Sequence, residues 1–212
     1  MTPQKEVNLC LCIFLFFSLQ VPTEVEPPHV KQIVPAEPNL NIVYSTWVIA
    51  DLYVGTDGSV HFPTVLKGEE PFRSSVLSSV SRWTFSPARA ATPVESHVTA
   101  VFLFRARDIF SLPPPDLSDI PAAGPDRPPI PVSLADPGYL ATSIAEGEVV
   151  LELEISKSGS IQNVGIVRAI LGLTEFTERA VRSWRFAPAL RAGLPVPGTV
   201  IVTISYLRPA VA

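Results

Sequence analysis

The sequence predicts an α+β protein of two tandem units, each a three-stranded antiparallel sheet in the order 2-1-3 packed on one helix. Three observations carry that expectation. The phrase "RSWRFAPALRAGLPVPG" at residues 182–198 has a weaker copy, "SRWTFSPARAATPVES", at residues 81–96. Around each copy the apolar pattern changes from period two to a helical period and back. A proline-dense stretch separates the two.

The copies keep register. Gly58 and Gly159 stand 101 apart, as do Ser59 and Ser160, Val80 and Val181, Trp83 and Trp184, Phe85 and Phe186, Pro87 and Pro188, and Ala88 and Ala189. After one inserted residue the spacing becomes 102, pairing Val94 with Val196, Val98 with Val200, Phe102 with Ile204 and Phe104 with Tyr206. Rare Trp and Pro recurring in one register read as a duplication. The chain then divides into residues 1–21, a signal peptide or short membrane anchor; 22–41, a Pro-rich tether; 42–106, the first unit; 107–137, a Pro-rich linker; and 138–208, the second unit.

The apolar run at 7–21 holds both cysteines, Cys10 and Cys12, and follows Lys5. About 15 residues at ~1.5 Å each fall short of a ~30 Å bilayer core. That length suits a signal-peptide core, although "SLQVP" lacks the small residues of a good cleavage site. Both readings export the rest of the chain to the periplasm. The cysteine-free body excludes a disulfide framework and a cysteine metal site.

In the second unit Val149, Leu151, Leu153 and Ile155 alternate with Val150, Glu152, Glu154 and Ser156, as in a strand with one dry face. The turn "SKSGS" uses Gly159 at positive φ, and the returning strand changes phase near Asn163, the mark of a bulge. Phe176, Ala180, Val181 and Trp184 form a helical stripe over 173–185, with Thr174 as N-cap and Glu175 and Glu178 in the first turn. Pro188 stops that helix, and 189–198 connects it to a last strand at 199–207. The first unit repeats the plan: Val48, Ala50, Leu52 and Val54, the turn "GTDGS", a returning strand at 59–66, a helix through Phe72, Val76, Leu77, Val80 and Trp83 with Pro71 in its first turn, and a last strand at 97–104. Strand directions then put the last strand of each unit at a sheet edge. The linker at 108–137, with nine prolines, reads as an extended spacer that buries little.

The second unit, with "GEVVLELEISKSGSIQNVGIV" and "FTERAVRSWRFAPALRAGLPVPGTVIVTISY", resembles the C-terminal domain of TonB, the periplasmic protein that couples inner-membrane proton flow to outer-membrane receptors. The first unit looks like a diverged copy keeping "GSV", "RWTFSPA" and "TPV". The motif residues are Trp83, Phe85, Pro87, Gly159, Trp184, Phe186 and Pro188. The resemblance implies β-augmentation: an extended peptide from a TonB-dependent receptor would add along the last strand, at Thr199, Ile201, Thr203, Ser205 and Leu207. It also implies an ExbB/ExbD-type inner-membrane partner. Against full transduction stand a tether reaching only about 60 Å, an apolar run without His, and a degenerate Tyr-Pro phrase at "DPGYLA". The alternative is a non-transducing envelope scaffold whose two edge strands pair with each other or with a partner.

No other chemistry is indicated. With formal net charge −4 and no basic face, nucleic acid is not an expected partner. No nucleophile elbow, phosphate loop or triad appears, so neither enzyme activity, metal nor cofactor is expected. His29, His61 and His97 read as isolated histidines, Glu152 and Glu154 as a solvated strand face, and Arg179, Arg182 and Arg185 as a solvated helix face.

Overall fold

The computed structural model describes residues 25–37, 44–106, 111–121, 124–140, 143 and 145–207. The apolar run at 7–21, both cysteines and the two ends of the tether, 22–24 and 38–41, lie outside the described residues. The first half contains β1 (His29–Gln32), β2 (Thr46–Val54), β3 (Val60–Lys67), α1 (Phe72–Val80), β4 (Thr84–Ser86), β5 (Ala88–Arg89), β6 (Pro93–Val94) and β7 (Ser96–Ala106). The second half follows the same order with β8 (Ile130–Ser133), β9 (Gly147–Ile155), β10 (Ile161–Arg168), α2 (Thr174–Val181), β11 (Arg185–Ala187), β12 (Ala189–Arg191), β13 (Leu194–Val196) and β14 (Gly198–Leu207).

Instead of the two separate three-stranded sheets expected, one six-stranded sheet runs β10-β9-β14-β7-β2-β3. The two last strands meet at its centre and pair in parallel from Val200 opposite Thr99 to Leu207 opposite Ala106. Parallel pairing turns one half over relative to the other, so the helices lie on opposite faces. On one face α2 packs Leu173 and Val181 into a core with Leu151, Leu153, Val202 and Ile204, which continues onto Trp47, Ile49, Val101 and Leu103 of the first half. On the other, Phe72, Val76 and Val80 of α1 join Val48, Ala50, Phe102 and Phe104, and reach Val150 and Ile201 of the second half. Each half therefore completes the other's core.

The Pro-rich stretches pack, contrary to the expectation that they bury little. β1 pairs with β4, and β8 pairs with β11, both antiparallel. Ile120, Ile130 and Leu134 are buried on the α2 face, and Val30, Ile33, Val34 and Ala36 pack on the α1 face. Proline blocks ladder donors but not apolar burial, and each of these strands needs only a three-residue partner.

The helices are shorter than their stripes. α2 ends at Val181, and Trp184 sits in the turn before β11, still pointing into the core. Thr174 is the first helical residue and not the cap; its hydroxyl accepts from Ile170 N–H (2.8 Å) and donates to Ile170 O. Pro188 falls after β11, too late to stop α2, and residues 189–196 fold into the β12–β13 hairpin where a plain connection was expected. The register of β10 against β9 does shift between Ile161 and Asn163, where the phase change occurs.

Candidate functional site

β14 was expected at an edge, and the structure puts it in the interior. β9 runs antiparallel along one side from Gly198 opposite Ile155 to Tyr206 opposite Gly147, while β7 occupies the other side. Both rows of backbone groups are therefore used within the chain, and a peptide strand has no open edge there. The five residues named for the edge all point to the α1 face. Thr199 donates to Pro28 O at 2.5 Å, Ile201 is in the core, Ser205 donates to Glu148 Oε1 at 3.3 Å, and Leu207 packs at the core margin. Thr203 is buried, and its hydroxyl has no hydrogen-bond partner among the described residues.

The pairing of last strands is fastened by side chains from both halves. Thr99 of β7 donates to Pro129 O, just ahead of β8, in the reverse of the Thr199 to Pro28 bond. Arg105 at the end of β7 meets Asp136 at 3.2 Å, with both side chains nearly sealed from solvent, at 2% and 1% exposure. The same carboxylate accepts from Leu112 N–H and Gly138 N–H. On the opposite face His29 Nδ1 lies 2.6 Å from Glu152 Oε1, and Val30 N–H donates to Glu152 Oε2 at 3.1 Å. Glu152 thus anchors β1 and is no solvated strand residue. Beside it on β9, Glu148 pairs with Arg168 at 2.5 Å, and burial holds its carboxyl above the usual range.

The shared motif residues build matching supports in each half. Gly58 and Gly159 adopt φ of +82° and +84°, and a Cβ at either would lie 2.0 Å from Phe85 O or 2.2 Å from Phe186 O. Only glycine fits both the turn and that approach. Trp83 Nε1 donates to Val34 O, and Trp184 Nε1 to Ala135 O, each at 2.9 Å. Phe85 and Phe186 are buried on opposite faces of the sheet, and Pro87 and Pro188 occupy the one-residue steps between paired strands. Tyr206 hydrogen-bonds Thr177 at 2.7 Å, and burial pushes its phenol up to about 12.

The outer strands β3 and β10 are the sheet's open edges. Both are irregular: β3 contains Pro63 and an exposed Phe62 at φ +45°, and β10 shifts register twice. Such breaks discourage strand addition. A signal for the buried centre lay in the sequence, since "VTAVFLF" is apolar on both faces, as in strands covered on both sides.

Each histidine has a neighbour of its own. His97 Nδ1 lies 2.9 Å from Asp51 Oδ1, a contact that raises its pKa despite burial. His61 Nε2 contacts Ser59 Oγ at 2.8 Å, but Asp57 accepts from the same Ser59 hydroxyl instead of orienting the imidazole. That order is not a catalytic triad, and all three groups are exposed, Asp57 and Ser59 in the turn and His61 at the start of β3. Arg182 forms an i,i+4 pair with Glu178, as expected of a solvated helix face.

Among the described residues no helix is long and apolar enough to cross a membrane. No curated protein and no solved structure matches the chain. Residues 140–207, which run through β9, β10, α2 and β14, match the family model described as Gram-negative bacterial TonB protein C-terminal, a protein-interaction domain of receptor-binding envelope proteins and not an enzyme, and this match supports the TonB C-terminal family for the second half.

Proposed function

We propose that the chain is a TonB-like interaction protein of the Gram-negative envelope, non-transducing, in which a diverged first copy is locked strand to strand onto the second. The parallel β7–β14 ladder carries this reading, because it consumes the edge that a receptor peptide would otherwise extend. The matching Trp83 and Trp184 bonds support the duplication. In this reading contact with outer-membrane receptors runs through surfaces other than β14, as suits a scaffold. Titration of the full chain with a receptor TonB-box peptide tests it by NMR. The β14 amides should stay unmoved and exchange slowly with solvent; shifts along 199–207 would overturn the reading.

The family match covers β14 itself and favours a second reading, in which the peptide replaces β7 beside β14. In that case β7 and β14 amides would shift together and β7 exchange would accelerate. Coupling to an ExbB/ExbD-type complex would need residues 7–21 to remain as an anchor. Membrane fractionation with N-terminal sequencing of the exported chain decides that: release with a new terminus near Val21 rules coupling out.

A further inference from the structure

Phe62 of β3 is held against its own preferences. Its side chain is 87% exposed, and its φ of +45° lies in the left-handed region that bulky residues avoid. The proline that follows restricts it further. The matched position in the second half, 101 later, is Asn163, a residue type that tolerates left-handed backbone. The ladder shifts register at both places, yet Asn163 keeps a negative φ. The bulge therefore does not require the strain, and a strained backbone with no local reason commonly serves a contact elsewhere.

The ring ends a short aromatic row. Phe62 and His61 have ring centroids 6.3 Å apart, and His61 and Tyr53 6.5 Å. Tyr53 in turn lines a groove of about 560 Å³ between the hairpins β5–β6 and β12–β13. The groove walls are largely apolar, with Pro27, Pro93 and Val94 from the first half and Leu190, Val196 and Pro197 from the second. A volume of this size admits a phenyl ring together with parts of its neighbours. The chain thus carries an exposed apolar knob and an apolar hole side by side, joined through Tyr53.

We infer that this surface pairs with a second copy of the chain about a two-fold axis, each Phe62 entering the other copy's groove. Adjacent complementary features are what a two-fold contact uses, because the axis exchanges them and knob meets groove twice. The charges agree. His61 and Asp57 flank the knob, with side chains 46% and 66% exposed, while the groove lining includes the carboxylates of Glu95 and Asp126 and the guanidinium of Arg191. Both signs around the knob therefore find their opposite around the hole. Pro63 and the bulge keep β3 from adding a strand, so side chains make the contact. The pairing is independent of β14 and of any receptor.

Sedimentation equilibrium of the full chain over a wide concentration range tests the pairing, and a monomer–dimer equilibrium is expected. Phe62→Asn should weaken the dimer by about a hundredfold or more, since each dimer loses a buried aromatic anchor twice. The same change relieves the left-handed strain, so the dilute monomer should melt no lower than the unmodified chain. Pro93→Asp, on the groove wall and exposed, should weaken the dimer with an unchanged far-UV circular dichroism spectrum. A mixture of the two variants should associate more tightly than either alone, because one intact knob then faces one intact groove. A monomer at every concentration, a dimer indifferent to Phe62→Asn, a lower melting point of that variant's monomer, or no recovery on mixing would overturn the proposal.

Discussion

The two halves are built from the same supports, but the titratable side chains that fasten them to each other differ. Within each half, a glycine at positive φ admits a Phe carbonyl and a Trp ties down the strand that precedes the fold. Between halves the two threonine bonds correspond, but the contacts of titratable groups diverge: on the α2 face Arg105 and Asp136 form an ion pair sealed from water, and on the α1 face His29 and Glu152 form a hydrogen-bonded pair with side chains 41% and 13% exposed. The internal plan of a unit tolerates few alternatives, because backbone approach and core volume fix it. The contacts between units need only be complementary once, so each face has its own solution.

The strongest way to break this comparison is at the buried pair. Asp136→Asn, which removes the charge facing Arg105, should cost about 3–5 kcal/mol in urea unfolding, whereas Glu152→Gln on the other face should cost less than about 1 kcal/mol. Similar losses would show that the two faces are fastened alike. Next come the turns: Gly58→Ala and Gly159→Ala should each lose more than about 2 kcal/mol, from left-handed strain together with the carbonyl clash, and by similar amounts. The tryptophans sharpen the contrast. Val34 O also accepts from Ser79 Oγ, at 2.5 Å, while residue 101 later is Ala180, which has no hydroxyl. Trp184→Phe should therefore destabilise more than Trp83→Phe, by about 1 kcal/mol, as read from thermal midpoints in the two variants.

The smallest effect is with pH. The Asp51 contact raises the His97 pKa, so its stabilisation is complete below the ordinary histidine value of about 6.5 and is lost as pH rises through the raised value. Burial raises the Glu148 pKa with the same sign, its stabilisation being present below the ordinary glutamate value and lost as pH rises through the raised one. The urea midpoint should fall between pH 6 and 8, and Asp51→Asn should flatten that fall. A midpoint that rises over this range would contradict the His97 assignment.

The strands, the Gly159 turn, the β10 bulge and the helices were legible because each follows from periodicity within a dozen residues. Helix ends were not: Trp184 continues the stripe by spacing, yet it reaches the core from a turn, and apolar spacing does not distinguish the two. The Pro-rich strands β1 and β8 escaped notice because proline content was read as solvation, while Val30 and Ile130 supply the burial. The candidate edge was misplaced for another reason. Alternation along 199–207 identifies one dry face, and nothing local states that the second face and the edge away from β9 are covered by the first half of the chain. The unbroken apolar run of β7 was the available hint.

Because β7 and β14 run in parallel over eight matched pairs, they present a particular mechanical arrangement. A load along the strand axis, entering where Ser96 begins β7 and leaving at Leu207 at the end of β14, would shear the ladder and divide itself among its rungs, whereas a load across the sheet would open them one after another. The seam that joins the halves is thus oriented to resist tension along the strand direction.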